Sequence, residues 1–510
     1  MTSFTSITRG LLGKLLLVAV LNDFCSAIDS LQVKTTVGVS YGIINGTSPH
    51  VAQFLGIPYA EPPVGPLRWA APVPKSPQHI IDATRFGASC PQIPDPYAPD
   101  VYTADVQEYN TNSPTSEDCL NLNVWAPFDK HSRKLPVVVW IFGGGFQAGG
   151  LDVEYQIPSP WVERTQSHIV VAINYRLNIF GFPNAAGQPH NEYNVGLLDQ
   201  RLALEWVRSN IDSFGGDPSR ITLWGQSAGA SSVDYYNFAY INDPIVRGLI
   251  MDSGTALHPT MLAPDPSHSN FTSVAKQFGC GGLKPGAELQ CMRKISFVDI
   301  ENFLQSGKLP SLNFSPVPDD VVVFSDYTVR ALAGKYTKLP AIIGSNSNEG
   351  VSLVRYSPGG VNMEDANYNT LSHFTCPAVQ AAKDRHSLNV PTFRYLYAGN
   401  FTNISPRPWQ SAYHASELPM IFGTSGIARG KSTPFQVAVS EAMQDMWLAF
   451  ITSGPAGLNR RRWHAYQPGG SVLEFGSGDE VMRYLPNDDF EKICDGIEPL
   501  PGSVPPKIDL

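Results

Sequence analysis

The chain has 510 residues, of which 43% are hydrophobic and 16% are charged, and its formal net charge is −9 at pH 7. This composition is typical of a globular protein with a sizeable core. The acidic balance, without basic segments interleaved with aromatic residues, argues against a nucleic-acid partner. Neither paired C-x-x-C motifs nor H-E-x-x-H occurs, so the sequence indicates no metal site and no cofactor.

The N-terminal residues have the pattern of a secretory signal peptide. Arg9 and Lys14 precede the apolar run 15–21, and small residues suited to cleavage follow it. The run is too short to span a bilayer, and no later stretch is long enough. We therefore expect a signal peptide at 1–27, one domain at 28–510, and a secreted protein without stable membrane insertion.

The cysteines and glycosylation sequons also indicate an oxidising, extracellular compartment. Removal of the signal peptide leaves six cysteines: Cys90, Cys119, Cys280, Cys291, Cys376 and Cys494. The first two flank a stretch rich in Pro, Tyr and Asp, the middle two are close in sequence, and the last two either pair or include a buried thiol. Glycosylation sequons begin at Asn45, Asn270, Asn313, Asn400 and Asn403.

Three segments near the start of the chain have distinct patterns. Residues 35–44 alternate in the manner of a strand around two glycines and predict an N-terminal hairpin. Residues 54–69 contain too many prolines for a regular helix, so we expect an ordered surface loop. Residues 90–119 have little periodicity and predict a covering loop.

Continuous apolar runs in the rest of the chain predict strands buried on both faces of a sheet. These runs occupy residues 119–125, 135–142, 169–173, 221–224, 248–254, 340–344, 393–397 and 472–475. Helical spacing over 197–211, and a segment without Gly or Pro after Ala230, predict helices between strands. We therefore expect an α/β fold with a large central, mostly parallel sheet and helices on both faces.

Residues 225–229 read Gly-Gln-Ser-Ala-Gly, between a predicted strand and a predicted helix. A strand that turns sharply into a helix leaves no room for side chains two residues either side of Ser227, which explains the glycines. The strained turn projects the serine hydroxyl, and the helix N-terminus beside it favours negative charge. The motif predicts Ser227 as a nucleophile.

Gly143, Gly144 and Gly145 directly follow the predicted strand 135–142. Acyl transfer builds negative charge on the former carbonyl oxygen, so backbone N–H groups must point at it. Glycines let the backbone approach a substrate closely. The triplet therefore predicts an oxyanion-binding loop.

A serine nucleophile requires a base, which a carboxylate in turn orients. In α/β-hydrolases the acid and then the histidine follow the serine in the chain. Glu349 lies in a polar loop after a buried strand, and His414 precedes a turn that leads into an apolar segment. Order alone leaves other histidines open as the base: His258, His268, His373, His386 and His464.

These motifs together resemble those of the type-B carboxylesterase/lipase family, which includes cholinesterases and secreted fungal esterases and lipases. The resemblance covers essentially the whole chain after the signal peptide. Its motifs lie at 56–65, 117–124, 143–146, 174–176, 214–218, 225–229, 348–350 and His414. Gln226 and the segment 413–418 are most similar to the secreted fungal branch.

The resemblance implies an α/β-hydrolase fold and hydrolysis of carboxylic esters through an acyl-enzyme on Ser227. His414 would be the general base and then the acid, and Glu349 the orienting carboxylate. The family's oxyanion donors fall on the backbone N–H groups of Gly144, Gly145 and Ala228. Its usual disulfides fall on Cys90–Cys119 and Cys280–Cys291.

Three further family features concern a lid, a structural ion pair and the substrate. In the lipases, the loop closed by the first disulfide is a lid. Arg68 and Glu117 match an ion pair that fixes loops. Cholinesterases have Glu at the position of Gln226, which argues against cholinesterase activity.

Three activities remain open at this point. The first is a carboxylesterase on soluble small-molecule esters, and the second is a lipase on long-chain acylglycerols or sterol esters. The third is a binding protein that has lost catalysis. Residues 90–119 are rather polar for a lid, which favours the esterase, and the sequence does not indicate an oligomeric state.

Overall fold

The structure is a computed structural model that describes residues 31–92, 99–128, 134–259, 262, 265–309 and 312–497. The expected signal peptide at 1–27 lies outside these residues. Within them, no helix combines the length and the apolar character that a membrane span requires.

Strands alternate with helices along most of the chain, as the apolar runs predict. The strands are β1 Gln32–Thr35, β2 Gly38–Tyr41, β3 Ile43–Asn45, β4 Ser48–Pro58, β5 Ile80–Asp82, β6 Asn121–Pro127, β7 Leu135–Ile141, β8 Ile169–Ile173, β9 Gly216–Gln226, β10 Gly248–Asp252, β11 Ala341–Asn346, β12 Thr392–Tyr397, β13 Ser471–Ser477 and β14 Glu480–Pro486. The helices are α1 Val101–Ala104, α2 Ser159–Thr165, α3 Asn178–Gly181, α4 Val195–Asn210, α5 Ala228–Ala239, α6 Ser269–Gln277, α7 Pro285–Met292, α8 Phe297–Gln305, α9 Tyr327–Leu332, α10 Met363–Asn369, α11 Cys376–Ser387, α12 Leu418–Phe422, α13 Pro434–Arg460 and α14 Asn487–Ile493.

One large sheet has the strand order β14-β13-β12-β11-β10-β9-β7-β8-β6-β4-β3. Its strands run parallel from β13 to β8, and antiparallel strands complete both ends. Helix α5 contacts β9 and β10, and α13 contacts β7, β9 and β10. The prediction of an α/β fold with a large, mostly parallel sheet is confirmed. The N-terminal hairpin expected over 35–44 lies at 32–41 instead, where β1 and β2 pair, and β3 pairs with β4.

The middle of the sheet is the most deeply buried part of the fold. Every residue of β8, β10 and β11 is buried, which is why these strands read as uninterrupted apolar runs. Strand β9 leads into the sharp turn at Ser227, the nucleophile elbow. Near the end of this strand, the ring centroids of Trp140 and Trp224 lie 4.4 Å apart, and those of Trp224 and Phe422 lie 4.9 Å apart. This rigid aromatic layer supports the end of β9.

Two further elements have a structure that the sequence pattern did not predict. Residues 54–58 belong to β4, not to a surface loop, and pair with β6 across a shift in register between Phe54 and Ile57. Gly56 lies within that shift and has φ +71°. The strand β14 was not predicted, because most of its side chains are exposed at the edge of the sheet and leave no apolar pattern.

Candidate active site

Ser227 lies between the last residue of β9 and the first residue of α5, with φ 57° and ψ −124°. The flanking glycines are required by sterics. A Cβ atom at Gly225 would lie 2.3 Å from the carbonyl group of Gly229, and one at Gly229 would lie 2.1 Å from the carbonyl oxygen of Ile141. The backbone N–H of Ser227 donates to the carbonyl oxygen of Asp252 at 2.8 Å, which fixes the strained turn to β10.

The structure brings His414 and Glu349 together across 65 positions of the chain. Nδ1 of His414 lies 2.6 Å from Oε2 of Glu349, and both side chains are buried. Glu349 begins the 3-10 turn Glu349–Ser352 that follows β11, and His414 lies in the loop before α12. Among the histidines left open by chain order, His414 is the one that contacts this carboxylate.

The second oxygen of Glu349 has two further partners. Ser253 Oγ donates to Oε1 at 2.6 Å, and the backbone N–H of Asn346 donates to the same oxygen at 2.6 Å. Sequence reasoning missed Ser253, although its place directly after β10 is a signal of the kind that identified Glu349. These bonds fix the carboxylate toward the imidazole.

The second ring nitrogen of His414 is directed toward the nucleophile elbow. Nε2 of His414 lies 3.2 Å from Nε2 of Gln226, the residue before Ser227. Because Nδ1 donates its proton to Glu349 in the neutral ring, Nε2 is the acceptor, which is the tautomer a general base needs. Among the described residues, Nε2 of His414 pairs with the Gln226 amide and not with Ser227 Oγ.

The glycine triplet lies against the elbow. A Cβ atom at Gly143 would lie 2.8 Å from the Cβ atom of Ser227, and Gly144 and Gly145 have φ of 108° and 62°. The N–H groups of Gly144, Gly145 and Ala228 donate to no acceptor among the described residues. Backbone N–H groups without an acceptor are the kind of donor that can stabilise an oxyanion.

Two more carboxyl groups are buried behind the site. Burial raises the pKa of Asp252 to about 7, with a further rise from Glu349 and an opposing hydrogen bond from Trp224. Burial and the neighbouring Glu349 raise the pKa of Glu417 well above its usual range. Glu417 is linked to the site through Asn346, whose amide donates to it.

A pair of histidines lies next to the base. The ring of Phe374 contacts those of His414 and His258, with centroid distances of 4.8 Å and 5.0 Å, and His258 lies 5.1 Å from His373. Burial lowers the pKa of His258 well below its usual range and that of His373 to about 4. Both rings are therefore neutral near pH 7.

The cysteines form disulfides that tie the surrounding loops. The bonds are Cys90–Cys119, Cys280–Cys291 and Cys376–Cys494. The third bond settles the open question about the last two cysteines.

Arg68 and Glu117 form a buried bidentate ion pair beside the first disulfide, with two N–O distances of 2.5 Å.

The sequons differ in their access to solvent. Asn45, Asn313 and Asn400 are exposed, and Asn270 is partly exposed. Asn403 requires a correction, since it is 6% exposed and its amide nitrogen donates to two backbone carbonyls. A glycan on that nitrogen is incompatible with the packing.

Among the described residues, no cluster of His, Cys, Asp or Glu is arranged to hold a metal ion.

The large parallel sheet, with a serine on the sharp turn after β9, defines the class of α/β-hydrolases.

Comparison with known proteins identifies the family. A profile of the Carboxylesterase family matches residues 29–373 and 366–490. The chain is 44% identical to a chlorogenic acid esterase of Aspergillus niger, over 91% of this chain and 94% of that protein. It is 42% identical to Secreted lipase 5 of Gibberella zeae, over 85% of this chain and 87% of that protein. It is 31% identical to a cholinesterase of Mus musculus, over 84% of this chain and 79% of that protein. The chain belongs to the carboxylesterase family and is a carboxylic ester hydrolase.

Proposed function

We propose that the enzyme works by acyl transfer through Ser227. His414 Nε2 takes the hydroxyl proton as the serine oxygen attacks the ester carbonyl, and His414 then gives the proton to the departing alcohol. Water activated by the same nitrogen attacks the acyl-enzyme and releases the carboxylic acid. The observation that carries this proposal is the contact of His414 with Glu349 on one side and with the residue before Ser227 on the other.

The negative charge of each tetrahedral intermediate would rest on three backbone donors. These are the N–H groups of Gly144, Gly145 and Ala228, which have no other acceptor among the described residues. Because they are fixed before substrate binds, they need not reorganise as the charge develops.

We infer that the preferred substrates are soluble small-molecule esters. The relative from Aspergillus niger is named for its action on chlorogenic acid, and chlorogenic acid is therefore the first natural ester to test. A lipase is the second candidate, since the relative from Gibberella zeae is named as one. Initial rates on p-nitrophenyl esters from acetate to palmitate, beside chlorogenic acid, separate the two.

We also propose that the protein is secreted after removal of residues 1–27, and that residues 28–510 form one domain. The name of the relative Secreted lipase 5 supports secretion, as do the disulfides. N-terminal sequencing of the protein from the culture medium tests both the secretion and the cleavage site.

The serine assignment is tested by Ser227→Ala. We expect kcat on p-nitrophenyl acetate to fall by roughly 10⁶-fold, because the variant lacks the hydroxyl that attacks the ester. Ser231→Ala is the matched control, since Ser231 lies one turn further along α5 and its hydroxyl donates to the carbonyl oxygen of Thr255. Retained activity in Ser227→Ala, or an organophosphate label on another residue, would reject the assignment.

A further inference from the structure

The loop closed by the Cys90–Cys119 disulfide contacts the backbone that carries the catalytic base. The hydroxyl of Tyr102 donates to the carbonyl oxygen of His414 at 2.8 Å, and the hydroxyl of Tyr109 donates to that of Ala415 at 2.8 Å. Ala415 has φ 74°, a conformation that a residue with a Cβ atom adopts at an energetic cost. Two tyrosine hydroxyls therefore hold the strained peptide that sets the position of the imidazole.

Both tyrosines are partly buried and pack against other aromatic rings. Their ring centroids lie 5.5 Å apart, each lies 6.3 Å from Tyr413, and Tyr109 lies 5.0 Å from Tyr155. Burial raises the pKa of both Tyr102 and Tyr109, so their hydroxyls stay protonated and donate. The contact with the base is thus part of an aromatic cluster.

The same loop is attached to the segment before His414 by a buried carboxylate. Asp105, whose side chain is 3% exposed, accepts hydrogen bonds from Arg407 at 2.8 Å and from Gln410 at 2.9 Å. The carbonyl oxygen of Gln410 in turn accepts from Asn348, the residue before Glu349. The loop therefore contacts both the base and the neighbourhood of its orienting acid.

The flanks of the loop are attached to the oxyanion loop. Gln92 makes two hydrogen bonds of 3.0 Å to the N–H and carbonyl groups of Gly149, four residues after the glycine triplet. Asp152 accepts from the backbone N–H of Asn112 at 2.8 Å and from Ser113 Oγ at 2.9 Å. One disulfide-closed segment thus bridges the oxyanion loop and the loop of the base.

We propose that residues 99–119 of the Cys90–Cys119 loop are a fixed brace that sets His414 relative to the oxyanion glycines, with Tyr102 and Tyr109 as positioning residues. We propose that this brace does not open as a lid during turnover. Opening would break both tyrosine bonds and separate the buried carboxylate of Asp105 from Arg407 and Gln410. The proposal rests on the proposed function, because the position of His414 matters only if it is the base.

The test compares Tyr102→Phe, Tyr109→Phe and the double variant with Tyr59→Phe. Tyr59 is the matched control, since its buried hydroxyl donates to the carbonyl oxygen of Asn174 at 2.7 Å, away from the loop of the base. We expect the double variant to lose roughly 10-fold or more in kcat on p-nitrophenyl acetate with little change in KM, because small misplacements of a base are costly. The control should lose comparable thermal stability and keep its kcat.

A double variant with kcat within about two-fold of the wild type would overturn the positioning role. Should the double variant not fold, the single variants decide by the same criterion. The second arm measures wild-type rates on tributyrin below and above its solubility limit, where a jump at the limit would overturn the fixed brace and a smooth curve supports it. An inactive wild type, or an active Ser227→Ala, would instead defeat the proposed function.

Discussion

Two glutamates contact Asn346, and they differ in how they interact with His414. Glu349 accepts from the backbone N–H of Asn346 and contacts His414, whereas Glu417 accepts from the side-chain amide of Asn346. Burial and the proximity of Glu349 raise the pKa of Glu417, which favours its neutral, protonated form. A glutamine has nearly the same shape and hydrogen-bonding groups as a neutral glutamic acid.

We therefore expect opposite outcomes from the same substitution at the two positions. Glu349→Gln should lower kcat by about 10⁴-fold, since an amide neither fixes the tautomer of His414 nor stabilises its protonated form. Glu417→Gln should keep kcat within about three-fold of the wild type. Rates on p-nitrophenyl acetate, with circular dichroism to verify folding, decide between them. Equal losses in both variants would show that Glu417 carries a charge that the reaction needs.

Among the elements, α11 and α14 are joined by the Cys376–Cys494 disulfide. The two half-cystines are 118 positions apart, whereas those of Cys280–Cys291 are 11 apart. Lys383 of α11 also pairs with Glu491 of α14 at 3.0 Å. The long-range disulfide therefore closes most of the C-terminal quarter of the chain onto the sheet.

The chain-entropy model predicts a larger loss from the longer loop. Replacing Cys376 and Cys494 by serine should lower the free energy of unfolding by about 5 kcal/mol, against about 3 kcal/mol for Cys280 and Cys291. Urea unfolding of the two double variants, with a common denaturant slope checked, measures the difference. The reverse order would mean that native contacts, and not loop closure, set the contribution of these bonds.

Local patterns predicted the buried elements but not the contacts between distant loops. Every central strand was visible as an apolar run, because burial on both faces leaves no polar alternation to misread. The exposed edge strand β14 left no such signal. The bonds of Tyr102 and Tyr109 to the loop of His414 join positions more than 300 residues apart, and no pattern in either segment indicates its partner. The assignment of Glu349 and His414 from the family motifs stays a prediction until their variants are measured.

For the molecule as a whole, the buried acid at the end of β10 links stability to pH. Asp252 is fully buried in the middle of the sheet, and one of its oxygens accepts from the Trp224 indole at 2.5 Å. Tyr395 and Trp447 also act to lower its pKa, but burial outweighs them. Burial raises the pKa of Asp252 to about 7, so the folded protein holds a proton there that the unfolded chain releases near pH 4.

The sign of the effect follows from which state binds the proton. Below about pH 4 both states are protonated, and Asp252 does not change the folding equilibrium with pH. Between about pH 4 and 7 the unfolded chain ionises first, so the wild type loses stability on the order of 4 kcal/mol. Asp252→Asn cannot ionise and keeps an acceptor for the indole, so it should be more stable than the wild type at pH 7, with the advantage vanishing near pH 4. Asp82→Asn, at an exposed acid whose pKa is lowered, is the control and should show no such gain. Urea unfolding across this range measures the difference, and parallel stability curves for wild type and Asp252→Asn would contradict it.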